Sequence, residues 1–264
     1  NDRIIRLDSP EGAIASIYNA SRTNHGMQSY RVGFAVSSNV MISHLLSKSD
    51  GLDIEVFGEY LQKLGLFQKV GIDRMDEVTG RQQWSHPLDK LTNGYGQGSS
   101  VTMIQMMQAF TSILGDGRLV KPYIVDEISD PSKDELVYKA ETQYGERVFT
   151  QETAKQIQEA MRDVLLEGGA YHYNMEEVNV IGKTGTAQYV EEGQGKYSKE
   201  KYIISMMLAF PQEDPEIVLY YAYKAPEKTD RPAAARHIKT VLRQVLNVYD
   251  FEDQENTSNV TPTE

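Results

Sequence analysis

The segment KTGTAQ at residues 183–188 decides the fold and directs the search for a function. It follows the short apolar run VNVIG at residues 178–182, which is typical of a buried strand. The lysine brings a positive charge to this strand, the two threonines bring hydroxyl groups, and the glycine lets another backbone come close. The segment therefore predicts an anion-binding strand edge, although a strand that begins after a turn explains the same letters.

A second motif, Ser37-Ser38-Asn39, lies 146 residues before Lys183 and precedes an apolar stretch that predicts a helix. Penicillin-recognising acyl-serine enzymes bring three motifs into one cleft, namely Ser-x-x-Lys, Ser-x-Asn and Lys-Thr-Gly. The second and third of these are present here in that order. Together they indicate a serine acyl-transfer site more strongly than either motif does alone.

The sequence around these motifs resembles class B penicillin-binding proteins. The similar segments are GFAVSSNV at 33–40, YGQG at 95–98, VTMIQMMQAF at 101–110, DG at 116–117 and KPY at 121–123. The resemblance implies an α+β fold of the penicillin-binding and β-lactamase-like transpeptidase type, with an antiparallel sheet flanked by helices. It assigns residues 1–249 to the C-terminal portion of a transpeptidase domain and residues 250–264 to a polar tail or linker.

The function implied by the resemblance is that of a peptidoglycan D,D-transpeptidase. In such an enzyme a serine attacks peptidoglycan stem peptides that end in D-Ala-D-Ala, and the acyl group passes to the amino group of a neighbouring stem. β-Lactam antibiotics acylate the same serine. The resemblance also implies no metal and no cofactor, a glycan-strand polymerase as partner, and an extracytoplasmic domain anchored in the cell membrane by an N-terminal helix absent from this chain.

Three residues are implied to be catalytic, Ser37, Asn39 and Lys183. A hydroxyl group both donates and accepts hydrogen bonds, so Ser37 would relay a proton between a catalytic lysine and the leaving nitrogen. Asn39 would bind the substrate amide and hold that lysine, and Lys183 would supply positive potential. The simpler alternatives are that Ser37 only caps the following helix and that Asn39 is a buried turn residue.

Three residues are implied to bind the substrate. The hydroxyl groups of Thr184 and Thr186 would bind its terminal carboxylate, and the Thr186 N–H would form part of the oxyanion hole. Gly185 would leave room for the ligand to lie alongside as an added strand.

The first motif, which carries the nucleophilic serine, has no match before Ser37. The chain's literal Ser-x-x-Lys runs from Ser198 to Lys201, in a polar stretch that predicts a loop. The family's serine opens a largely buried helix, where its lysine loses solvation and can act as a base. We therefore expect the nucleophile in an upstream segment, and we expect this chain alone to be inactive.

Two alternatives remain open from the sequence. A class A β-lactamase has the same fold, but it carries Ser-Asp-Asn as its second motif and needs a deacylating glutamate, which cannot be identified in residues 71–93. A penicillin sensor or a scaffold that has lost catalysis would keep the fold, and only the upstream segment discriminates it from the enzyme.

Composition excludes several other classes. The 264 residues carry a formal net charge of −11, which disfavours nucleic acid and anionic membrane surfaces as partners. No apolar run approaches the length of about 18 residues that a membrane span needs. The absence of cysteine removes thiol catalysis and disulfides, and the five histidines are too scattered to predict a metal site.

Periodicity and capping signals predict the elements. The predicted helices are 38–46, 54–64, one from a Ser99 or Ser100 cap to 114, 151–166 capped by Thr150, and 232–248. The predicted strands are 124–128, 136–138, 178–188, 202–210 and 217–223, and residues 71–92 are predicted to be a surface connection. Two core faces are also predicted, one from Met103, Met106, Met107 and Phe110, the other from Ala233, Ala234, Ile238, Val241, Leu242 and Val245.

Overall fold

The computed structural model describes residues 6–8, 14–20, 22–47, 51–190, 197–225 and 231–248. Its helices are α1 (Tyr30–Ala35), α2 (Asn39–Ser47), α3 (Ile54–Lys63), α4 (Pro87–Asn93), α5 (Met103–Leu114), α6 (Gln151–Leu166) and α7 (Arg231–Val248). Its strands are β1 (Arg6–Asp8), β2 (Ile14–Ser16), β3 (Arg118–Lys121), β4 (Glu127–Asp130), β5 (Glu135–Lys139), β6 (Gln143–Arg147), β7 (Ile181–Val190), β8 (Tyr197–Phe210) and β9 (Ile217–Ala225). The predicted tail at 250–264 lies outside the described residues.

The main sheet is antiparallel and has the order β7-β8-β9. Its register places Lys183 opposite Met207, Thr184 opposite Met206 and Gly185 opposite Ser205. Among the described strands, none pairs with the outer edge of β7. The strand that carries the Lys-Thr-Gly motif therefore presents a row of backbone groups on that edge.

Helices cover the main sheet, as the α+β prediction requires, and the core lies between the helices and the sheet. One buried cluster joins β8 to α6 and α7 through Met206, Leu208, Phe210, Val164, Leu165, Ile238 and Leu242. A second joins β7 and β8 to α5 and α6 through Ile181, Ala209, Leu114 and Met161. Because neighbouring residues of a strand point to opposite faces, Leu208 and Ala209 mark two covered faces of β8.

Helix α5 begins later than predicted. Thr102 is its N-cap, and this residue forms a reciprocal capping box with Gln105. The prediction that Ser99 or Ser100 caps this helix was wrong. The Ser99 hydroxyl accepts from the Gln83 N–H, and the Ser100 hydroxyl accepts from the Arg81 N–H.

The prediction that Met103 belongs to the core face of α5 was wrong, because this residue is 51% exposed. The other three predicted residues of that face, Met106, Met107 and Phe110, are only half-buried. The buried positions are Gln105, Ala109, Ser112 and Leu114. The side chain of Gln105 donates to the carbonyl of Gln68, which satisfies its amide in the core.

Other boundaries differ for identifiable reasons. Helix α4 interrupts the predicted surface connection, with Pro87 at the first helical position, where its missing N–H costs nothing. The strand predicted at 124–128 begins only at Glu127, because the Asp73 carboxylate holds the N–H groups of Ile124 and Val125. Helix α1 was not predicted at all.

Several predictions are confirmed by the structure. Helix α6 has the predicted bounds, and its Thr150 cap accepts a hydrogen bond from the Thr153 N–H at 3.1 Å. Helix α7 buries Ala234, Ile238 and Leu242, whereas Val241 is exposed and Ala235 takes its place in the core. None of the described helices is long and apolar enough to cross a membrane.

Candidate active site

The two predicted motifs meet in a direct contact. The Lys183 Nζ atom donates to Ser37 Oγ at 2.8 Å and to the Thr184 carbonyl at 3.0 Å. The same ammonium lies 5.7 Å from the centre of the Phe34 ring. These contacts fix the position of a positive charge beside the Ser37 hydroxyl.

The turn between α1 and α2 directs Ser37 toward the lysine. Ser37 is exposed and has a φ of 57°, a left-handed conformation that costs a non-glycine residue about 1–2 kcal/mol. Ser38, not Ser37, has its Oγ at 3.1 Å from the N–H of Met41, as a helix cap would. The alternative that Ser37 serves only as a cap is therefore wrong, since its neighbour fills that position.

Asn19, for which no sequence pattern predicted a role, links Thr23 to the second motif. This asparagine is 6% exposed, and its Oδ1 accepts from Ser38 Oγ at 3.1 Å and from the Val40 N–H at 3.3 Å. Its Nδ2 donates to the Thr23 carbonyl at 3.0 Å. No periodicity or motif marks this residue, so the sequence alone carries no signal for its role.

Asn39 is half-buried and points toward the same segment. Its Nδ2 donates to the Tyr18 carbonyl at 3.0 Å. The Asn39 amide is therefore held in one orientation at the border of a cleft that both Asn39 and Thr186 line.

Strand β7 places the substrate-binding candidates in sequence. Thr184, Thr186 and Gln188 alternate along the strand, so they share one face. A Cβ atom at Gly185 would lie 2.5 Å from Ser205 Oγ on β8. A side chain at this position would therefore have to displace the Ser205 hydroxyl, which can rotate away because it is the end of a flexible side chain.

A cleft of about 310 Å³ adjoins the Ser37–Lys183 contact. Its described lining is mostly polar and comprises Ser16, Ile17, Tyr18, Asn19, Ala20, Arg22, Asn39, Tyr95, Gln97, Thr186, Gln188 and Tyr202. Burial, with a smaller contribution from Tyr197, raises the pKa of Tyr95 to about 12. This phenol therefore stays neutral and can donate a hydrogen bond at physiological pH.

Comparison with known proteins identifies the family. The chain matches the penicillin binding protein transpeptidase domain over residues 6–246. The chain belongs to the penicillin-binding protein transpeptidase family. Stage V sporulation protein D of Bacillus subtilis is 35% identical over 241 residues, 89% of this chain and 36% of that protein. The peptidoglycan D,D-transpeptidase FtsI homolog of Mesostigma viride is 24% identical over 208 residues, 72% of this chain and 34% of that protein.

Among solved structures, the chain is similar to penicillin binding protein 3 of Mycobacterium tuberculosis in complex with ampicillin. The identity is 26% and the TM-score is 0.72, over 90% of this chain and 56% of that one. These relatives are class B penicillin-binding proteins, and the match confirms the predicted fold. The chain spans about a third of the length of the two curated relatives.

Within this penicillin-binding transpeptidase fold, the predicted site residues lie in one region. Ser37 and Lys183 touch, Asn39 and Thr186 line the adjoining cleft, and the other two candidates lie between the lysine and Thr186 on β7. Their roles in binding and catalysis stay predictions. Among the residues that the structure describes, no three histidine, aspartate or glutamate side chains come together as metal ligands would.

The Ser-x-x-Lys match lies elsewhere in the secondary structure than predicted. Ser198 belongs to β8 rather than to a loop, because that strand continues its pairing with β7 as far as Tyr197 opposite Val190. The Ser198 Oγ accepts from the Lys201 N–H at 3.0 Å, and the Ser198 carbonyl accepts from the Gln188 amide at 2.9 Å. This serine thus does not open a helix.

Proposed function

We propose that this chain forms one half of the active site of a peptidoglycan D,D-transpeptidase, and that a serine upstream of it is the nucleophile. The observation that carries the proposal is the 2.8 Å contact between Lys183 Nζ and Ser37 Oγ, made across 146 residues of sequence. A lysine that donates to a serine hydroxyl leaves the proton of that hydroxyl directed elsewhere, as a proton relay needs.

Acylation requires the nucleophile's proton to reach the leaving nitrogen of the terminal D-Ala. Ser37 passes its own proton to that nitrogen and takes one from the catalytic lysine beside the nucleophile. Lys183 keeps the Ser37 oxygen in the role of acceptor, so the hydroxyl hydrogen points away from the ammonium. The relay conserves charge, because one proton enters Ser37 as another leaves.

The rest of the motif holds the substrate. Lys183 and the hydroxyl groups of Thr184 and Thr186 bind the terminal carboxylate, and the Thr186 N–H donates to the oxyanion. Asn39, already oriented by the Tyr18 carbonyl, binds the substrate amide. Gly185 leaves space for the peptide to lie along the outer edge of β7.

The relatives support this reading by their names and ligands. One similar protein is named a peptidoglycan D,D-transpeptidase, and one similar structure holds ampicillin. From the same family we propose an extracytoplasmic position on a membrane anchor outside this chain, a glycan-strand polymerase as partner, and inhibition by β-lactams that acylate the upstream serine.

The test is covalent labelling of the full-length protein with benzylpenicillin, followed by peptide mapping of the acylated residue. We expect the adduct on a Ser-x-x-Lys serine upstream of residue 1. Replacing Lys183→Ala or Ser37→Ala should slow acylation about 100-fold, because each removes a group that acts on the transition state.

Matched controls are Lys133→Ala and Ser85→Ala, which change exposed residues outside the cleft. Both should acylate at the rate of the unaltered protein. An adduct on Ser37, Ser198 or any other residue within this chain would refute the half-site proposal. Unaltered acylation in the Lys183→Ala variant would refute the role of the lysine.

A further inference from the structure

We infer that the Arg22 end of the cleft binds a second carboxylate of the peptide substrate, separate from the terminal carboxylate at Lys183. The inference rests on the proposed function, since it takes the ligand to be a peptide anchored on β7. It assigns a substrate preference to a residue that lies in neither sequence motif.

The charge of the lining selects for an anion. Among the described residues that line the cleft, Arg22 is the one with a charged side chain, and the others are neutral. The chain as a whole carries 38 acidic and 27 basic side chains, so a cleft lined without a carboxylate departs from its average surface. A cationic group would find no carboxylate among these residues, whereas a carboxylate would find a guanidinium able to bind it with two hydrogen bonds.

Arg22 is positioned rather than loosely placed. The Arg22 guanidinium lies 4.1 Å from the centre of the Tyr18 ring, and the Arg22 backbone N–H donates to the Asn19 carbonyl at 2.9 Å. Its φ is 59°, a left-handed conformation that a non-glycine residue adopts at a cost. No described carboxylate forms an ion pair with it, so its charge is available to a ligand.

Strand β7 joins the proposed carboxylate site at Lys183 to the cleft that contains Arg22. A peptide whose terminal carboxylate lies at Lys183 and Thr184, and which follows the outer edge of the strand, next passes Thr186 and then Gln188. Both of these line the cleft that contains Arg22. The part of the ligand distant from its terminus therefore enters the cleft that Arg22 lines.

Neighbouring polar groups can complete the site. Tyr95, Gln97 and Asn39 line the same cleft and offer neutral hydrogen-bond donors. The high pKa of Tyr95 keeps its hydroxyl protonated next to an anion.

The test compares two β-lactams that differ by one side-chain carboxylate, carbenicillin, which has it, and benzylpenicillin, which lacks it. The ratio of their second-order acylation rate constants on the full-length protein cancels any general loss of activity in a variant. Arg22→Gln should lower the carbenicillin-to-benzylpenicillin ratio about fivefold, since a charge-assisted hydrogen bond is lost. Arg22→Lys, which keeps the charge but cannot form the two parallel hydrogen bonds, should lower the ratio by less than Arg22→Gln does.

The matched control is Arg74→Gln. Arg74 is also exposed and also left-handed, with a φ of 60°, but it does not line the cleft. This variant should leave the ratio unchanged. A second readout needs no variant, because added salt should slow carbenicillin more than benzylpenicillin if the extra carboxylate meets a cation.

The outcomes separate the two proposals. If both drugs acylate the upstream serine but neither Arg22→Gln nor salt changes the ratio, the second carboxylate site is wrong and the proposed function stands. If neither drug acylates any serine, the proposed function is wrong and the inference falls with it.

Discussion

The buried side chain of Asn19 connects two separate parts of the chain that line the cleft. It joins the segment that carries Tyr18 and Arg22 to the motif that carries Ser38 and Asn39. The motif residues were predictable because their letters recur together in a known family. Asn19 was not predictable, because its partners lie 19 and 21 residues away and no local pattern encodes such a contact.

The link between Asn19 and Ser38 can be measured directly. Asn19→Ala should lower the free energy of unfolding by about 2–4 kcal/mol, because it leaves a buried hydroxyl and a buried N–H without their acceptor. A double-mutant cycle with Ser38→Ala in urea unfolding should give a coupling energy of about 1 kcal/mol. Strictly additive effects would mean that the two side chains do not stabilise each other.

At the scale of elements, β7 acts as a rigid support for the site. Its inner edge pairs with β8 and its outer edge is not covered by any described strand. Gly182 precedes Lys183 at a point where β7 and β8 pack so closely that a Cβ atom would lie 2.8 Å from Leu208 Cδ2 and 3.0 Å from Met206 Cε. The Met207 carbonyl would be closer still.

Gly182→Ala should therefore shift β7 and lower the free energy of unfolding by about 1–3 kcal/mol, since the obstructing atoms include backbone. Because the strand displacement moves Lys183, benzylpenicillin acylation should slow as well. The control is Gly145→Ala on the exposed strand β6, where the nearest contact of a Cβ atom is 3.4 Å from Leu119 Cβ. Equal urea midpoints for the two alanine variants would show that close packing at Gly182 does not limit stability.

Elements with strong local signals were predictable, and those set by distant contacts were not. The Thr150 cap and the apolar period that follows define α6 without outside help. The start of α5 could not be predicted, because the two serines that resemble its cap accept hydrogen bonds from the N–H groups of residues 81 and 83 instead. No local pattern encodes such a distant contact. The cleft was likewise beyond prediction, since five separate stretches of the chain contribute to its lining.

At the scale of the whole molecule, the surface is acidic but locally paired. The Arg118 side chain, helped by its backbone N–H and by Arg147, lowers the pKa of Asp116 to about 2. The distances from the Asp116 carboxylate to the two guanidinium groups are 2.9 Å and 3.0 Å. These contacts hold β3 to β6, far in sequence from the site.

The sign of this pKa shift predicts an acid-sensitive step. Asp116 has a lower pKa in the folded protein than its ordinary value of 3.8. Its ionised form therefore stabilises the fold above about pH 4, and that contribution is lost as the pH falls toward 2. In urea unfolding at a series of pH values, Asp116→Asn should flatten the fall in stability between pH 4 and pH 2, and Arg118→Gln should do the same. An unchanged slope in both variants would exclude this ion pair as a cause.

The contact between Ser37 and Lys183 closes a loop of 146 residues. Helices α2 to α6 and the sheets β3-β6 and β4-β5 lie between these two residues. Lys183 can therefore meet Ser37 only after the chain between them has been made. If the proposed function is right, β-lactam recognition is consequently a property of the finished topology rather than of any segment. A polypeptide that stops between Ser37 and β7 would carry the second motif with no cation opposite it, and we expect such a product to react with the drug no faster than the Lys183→Ala variant.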